Sequence, residues 1–154
     1  APTLVYRPSY PMTQRIRWSY LADRTLGIAA MTIMLYLLIH TQIMPVLSVV
    51  VNQRDRLGAI ISLLLPFTLA YLIFFFLVFE YILNWFAEIT RFADRHFYDD
   101  WWNSRTFGDF ARKWNRPVHS FLLQHLHRPL LLHWGRSRRE AMLLTFLVSS
   151  LLHE

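Results

Sequence analysis

The run Ser149-Ser150-Leu151-Leu152-His153-Glu154 places a histidine inside an apolar stretch. Keeping an ionisable side chain in a membrane-like segment costs free energy, which makes it a functional candidate. An apolar setting lowers the imidazole pKa and keeps the ring neutral, able to take a proton from an alcohol. General-base catalysis of this kind contributes typically about 10²- to 10⁴-fold. Ser149 and Ser150 precede His153 by four and three positions, on the same helical face, so either hydroxyl could orient the ring. Glu154 points elsewhere. A buried histidine satisfied by a helix neighbour is the plainer alternative.

A second constellation is Phe97-Tyr98-Asp99-Asp100-Trp101-Trp102-Asn103, followed by Trp114-Asn115. Tyr98, Asp100 and Asn103 can hydrogen-bond. Trp101 and Trp102 can anchor at a membrane interface. An aromatic belt with a structural polar network would use the same residues. Asn115, ahead of Pro117, also suits the C-terminal end of a helix. His119, His125, His127 and His133 invite a metal reading, which is weak. His125 and His127 diverge on a helix, and no carboxylates stand near them at ligand spacing. No metal site is expected.

The elements that must position these groups are apolar. Of 154 residues, 55% are hydrophobic and 17% charged, against about 25% charged in a typical soluble protein. No Asp, Glu, Lys or Arg occurs from Thr25 to Gln53 or from Leu57 to Phe79. About 20 apolar residues as helix cross a bilayer, so spans are predicted at about 26–50 and 57–82. Residues 140–154 read as a third span that is cut, which marks the chain as a fragment. There is no Cys, which excludes disulfides and thiolate metal sites within it.

The formal charge of +6 is uneven. Arg7, Arg15, Arg17 and Arg24 precede the first span, and most other cations fall between Arg91 and Arg139. Positive charge gathers on the cytosolic side. The N-terminal segment and residues 91–139 are therefore expected there, with Asn52–Arg56 opposite. Two spans argue against nucleic acid as a partner.

Ala1–Arg24 reads as an irregular approach broken by Pro2, Pro8 and Pro11. Pro45 should kink the first span. His40, near the end of that span, reads as a packing residue. Beyond Phe79, the residues Glu80, Asn84, Glu88, Arg91 and Arg95 recur every three or four positions, along one helical face. Such a stripe either pairs within itself, as Glu88 with Arg91, or walls an internal chamber. Thr106 with Asp109 forms a weak capping box opening a helix to about Asn115. Pro117 suits the first turn of another, Val118 to Arg128. Both are too short to span and read as interfacial or re-entrant.

The pattern FYxDWWN over Phe97–Asn103, the later Trp114-Asn115 and His153-Glu154 closely resemble the sterol and diacylglycerol branch of the membrane-bound O-acyltransferases. Ala1–Tyr6, Ser9–Pro11 and Leu83–Glu88 also look like that branch. Thr90–Arg95 leans toward its sterol enzymes, fungal ones in particular. The resemblance implies an all-α, multi-pass integral membrane helical bundle, with residues 1–154 a single piece of its core. It implies transfer of a long-chain acyl group from acyl-CoA to a sterol 3-hydroxyl, without a covalent acyl-enzyme. His153 would be the base. Asn115, matching the asparagine that the family sets opposite its histidine, would steady the developing oxyanion.

Further implications concern binding and setting. Phe97, Tyr98, Asp100, Trp101, Trp102, Asn103 and Trp114 would bind acyl-CoA or shape its site, with Ser149 and Ser150 orienting the base. Arg112, Lys113 and Arg116 could meet CoA phosphates, although topology explains them equally well. The expected partners are acyl-CoA, a sterol or other lipid alcohol, membrane lipids and further copies of the protein, in the endoplasmic reticulum membrane. No cofactor is implied beyond acyl-CoA as co-substrate. Diacylglycerol as acceptor is the nearest alternative, because the motifs are shared. A non-enzymatic scaffold or transporter segment would explain the spans and leave His153, Asn115 and the heptapeptide as coincidence.

Overall fold

A backbone away from water must satisfy its own N–H and C=O groups, and a helix does so within one segment. The two charge-free stretches accordingly coil. The structure, a computed structural model, describes residues 2–52 and 56–152. Its regular elements are helical, with no strand among the described residues. The chain forms two compact units, Pro11–Arg95 and Pro2–Tyr10 together with the stretch from His96 onward.

In the first unit, α1 (Trp18–Leu38) passes through a π-helical turn at Ile39–Ile43 into α2 (Met44–Asn52). Next, α3 (Arg56–Phe76) passes through a π turn at Leu77–Ile82 into α4 (Leu83–Ile89). Trp18–Val49 and Leu57–Ile89 are continuous helices of 32 and 33 residues, long and apolar enough to cross a membrane. At about 1.5 Å per residue each is about 48 Å long, beyond the roughly 30 Å of hydrocarbon. Leu26, Ile33, Leu57 and Leu65 stay exposed, a lipid-facing rather than core-facing pattern. Helix begins at Trp18, well before the charge-free stretch and inside the segment expected to be irregular. Absence of charge marks apolar length, not where coiling starts. Pro45 lies two positions beyond the last residue of the first π turn. Its missing N–H breaks the i→i−4 ladder, and the wider turn takes up the mismatch.

The two long helices meet through a small residue. A methyl group at Gly27 would overlap the Tyr81 ring, so only glycine allows this approach. Trp85 Nε1 donates to Thr25 Oγ1 at 2.9 Å nearby.

The polar stripe resolves differently from the pairing expected within it. Glu88 is fully buried and accepts from the Arg17 backbone N–H at 2.6 Å and from Arg17 Nη2 at 2.8 Å. Arg95 Nη2 lies 2.6 Å from the same carboxylate, and Arg24 pairs with Glu80 at 2.8 Å. The Arg91 guanidinium does not pair with the Glu88 carboxylate, because the helix has already ended at Ile89. Arg91 takes up left-handed backbone at φ 54 as the residue closing the helix, its N–H donating to Glu88 O at 3.1 Å. The Tyr20 ring lies under the guanidiniums of Arg17, Arg24 and Arg95 at 4.4, 4.8 and 5.4 Å. Thr13 N–H to Arg91 O and Ala93 N–H to Pro11 O, at 2.8 and 3.0 Å, pin the N-terminal segment beside the end of α4.

In the second unit, a 3₁₀ turn at Trp101–Asn103 leads to α5 (Phe107–Lys113) and α6 (Arg116–Leu122). A π turn at Leu123–His127 continues α6 into α7 (Arg128–Leu132), and α8 (Arg138–Leu152) follows.

Candidate active site

Three helices of the second unit, α5, α6 and α8, start on a side-chain cap. Thr106 accepts from Asp109 N–H at 3.1 Å and opens α5, as the sequence spacing predicts. Hydrogen bonds from Thr106 and Arg112 hold the Asp109 carboxyl below its usual range. At α8, Ser137 Oγ accepts from Glu140 N–H while Glu140 Oε2 accepts from Ser137 N–H, at 3.3 and 3.0 Å. That is a reciprocal capping box.

Asn115 is a start, not an end. It is the N-cap of α6, its Oδ1 accepting from Val118 N–H at 3.2 Å. Its backbone, at φ −146, is not in the left-handed form that closes a helix C-terminus, and Pro117 sits in the first turn of α6. With Oδ1 occupied, the Nδ2 hydrogens have no partner among the described residues. A capping bond thus sets which end of the amide is free to donate.

Helices α5, α6 and α8, with the π turn after α6, line an open-sided cavity of about 330 Å³, within the range typical of small-molecule sites. Its walls include Leu122, Leu123, Met142 and Phe146, and its polar lining includes Asn115, His119, His127, Thr145 and Ser149. Trp114 lines it too, its ring stacked on Phe110 at 5.9 Å and 7°. Burial, and then the guanidiniums of Arg112 and Arg116, hold the His119 imidazole below its usual range. Thr145 Oγ1 stands 3.5 Å from His127 Nδ1.

The structure therefore brings Trp114, Asn115 and Ser149 together. Ser150 is exposed. His153 and Glu154 lie outside the described residues. None of the seven heptapeptide residues lines the cavity. Phe97 is buried, Trp101 meets Phe110 edge-on at 5.9 Å, and Asp100, Trp102 and Asn103 are exposed. Arg116 is engaged by Asp99 at 2.9 Å and Arg112 pairs with Asp109. Sequence reasoning passed over His119 and His127 after setting the metal reading aside. The signal for His119 was its place one helical turn beyond Asn115.

A helical chain with two membrane-length helices, and an amide and imidazoles around an apolar cavity, fits a lipid-handling membrane protein. Comparison with known proteins gives the family. The chain matches the membrane-bound O-acyltransferase family, MBOAT, over residues 1–154, and it belongs to that family. It is 38% identical to sterol O-acyltransferase 2 of Candida albicans, over 99% of this chain and 27% of that protein. It is 41% identical to the probable sterol O-acyltransferase 2 of Schizosaccharomyces pombe, over 99% of this chain and 35% of that protein. It is 38% identical to diacylglycerol O-acyltransferase 1A of Glycine max, over 100% of this chain and 32% of that protein. The chain thus spans about a quarter to a third of the length of these relatives.

Proposed function

We propose that the protein carrying this chain transfers a long-chain acyl group from acyl-CoA to a sterol 3-hydroxyl, releasing CoA and a sterol ester. One observation carries the reading. The free amide end of Asn115 and the hydroxyl-bearing Ser149, four positions before His153, share one cavity.

In this reading His153 takes the proton of the alcohol, whose oxygen attacks the thioester carbonyl carbon. The tetrahedral oxyanion accepts a hydrogen bond from Asn115 Nδ2. The C–S bond then breaks, and the imidazolium returns its proton to the departing thiolate. A preorganised donor of this kind is worth several kcal/mol, because it is already aimed where charge develops. Phe97, Tyr98, Asp100, Trp101, Trp102 and Asn103 support the site from outside the cavity, and Trp114 from within it. The endoplasmic reticulum membrane as location, and self-association, belong to the same proposal.

Sterol as acceptor is supported by the Thr90–Arg95 stretch and by the names of the fungal relatives. Diacylglycerol is the second reading, since the soybean relative is 38% identical over the whole chain. The test is one labelled acyl-CoA offered to membranes bearing the full-length protein, with sterol and diacylglycerol in parallel. Labelled sterol ester, lost in His153→Ala at equal expression, is expected. Labelled triacylglycerol alone would move the acceptor to diacylglycerol, and an active His153→Ala protein would end the general-base proposal.

A further inference from the structure

A donor aimed at a developing charge works only if the chain around it cannot rotate, and Asn115 sits in a two-residue turn between α5 and α6. Both flanks of that turn are held from the heptapeptide. Asp99 N–H donates to Lys113 O at 2.8 Å, and Arg116 N–H donates to Phe97 O at 3.0 Å. Arg116 Nη1 also lies 3.0 and 2.9 Å from the two carboxylate oxygens of Asp99. Asp99 is thus tied to the residue before Trp114 by its backbone and to the residue after Asn115 by its side chain.

We infer that Asp99, at the position that the FYxDWWN pattern leaves open, is a positioning residue that aims the Asn115 amide into the cavity through Arg116 and the backbone clamp. The inference rests on the reading of Asn115 as the oxyanion donor. A stabilising role explains the pair less well. The side chains of Arg116 and Asp99 are 42% and 39% exposed, and pairs that wet contribute little to stability. Orientation is another matter, since misplacing a reacting group by about 1 Å can cost about 100-fold in rate. The clamp also gives the heptapeptide work at the site without placing its residues in the cavity.

The experiment is a double-mutant cycle in the full-length protein in membranes, with labelled acyl-CoA and sterol. Asp99→Ala is expected to lower kcat by about tenfold or more, while KM for acyl-CoA changes less than about twofold. In an Asn115→Ala background the same change should cost nothing further, because its effect runs through an amide no longer present. The charge swap Asp99→Arg with Arg116→Asp should regain most of the Asp99→Ala loss. If Asp99→Ala protein does not accumulate, Asp99→Asn keeps the size and replaces it in the cycle. Unchanged kcat in the Asp99 variant, or losses that multiply in the double variant, would overturn the clamp alone. Unchanged kcat in Asn115→Ala would instead overturn the reading beneath it.

Discussion

Glu88, fully buried at the end of α4, accepts hydrogen bonds from both the backbone N–H and the guanidinium of Arg17, the residue that caps α1. One carboxylate therefore joins the start of one long helix to the end of the other, with Arg95 Nη2 beside Oε2, the oxygen that also accepts from Arg17 Nη2. Removing one partner of a buried pair strands the remaining charge, at a typical cost of about 3–5 kcal/mol. Arg17 is half exposed and can rehydrate, which places Glu88→Ala at the low end, about 3 kcal/mol. The check is the thermal midpoint of detergent-solubilised full-length protein. It should fall by several degrees, and an unchanged midpoint would show the junction to be idle.

The Gly27–Tyr81 approach makes a separate claim about packing. Gly27→Leu should destabilise the helix pair, because overpacking typically costs about 1–3 kcal/mol. The companion change Tyr81→Ala should return part of that loss by clearing the overlapping ring. Equal midpoints for Gly27→Leu with and without Tyr81→Ala would contradict the contact.

His119 yields a pH dependence whose sign follows from its burial. Its folded pKa is lowered, so the unfolded chain binds the proton more readily. Stability from this group is fully present above about pH 6.5, the ordinary histidine value. It is lost as pH falls from there through the lower folded pKa. The thermal midpoint of the native protein should therefore drop more steeply below about pH 6.5 than that of His119→Asn. Parallel curves for the two proteins would contradict the assignment.

Local patterns were legible in the sequence because neighbours in the chain make them. Charge-free runs predicted membrane-length helices, and Thr106 three before Asp109 predicted a cap that forms. Arg17 and Glu88 stand 71 positions apart, and no local period reports such a pair. The stripe ending in Arg91 and Arg95 was misread as one helix, because spacing persists past the point where the backbone leaves it. Asn115 reads from the sequence as a site candidate that also suits a helix end, and the structure makes it the cap that opens α6; Asn is common at both termini, and only geometry tells them apart. His119 was passed over because its meaning comes from α8, more than twenty residues away, closing the cavity opposite it.

Asn115 itself gives the most direct measurement. In the full-length protein, with labelled acyl-CoA and sterol, Asn115→Ala should lower kcat by about 10²- to 10³-fold, the usual cost of losing one oxyanion donor. KM should change little, because the bond tightens chiefly in the transition state. His125→Ala, at an exposed position outside the cavity lining, should retain most activity under the same conditions. Well-expressed Asn115→Ala protein turning over near the native rate would contradict the assignment of this cavity as the place of acyl transfer.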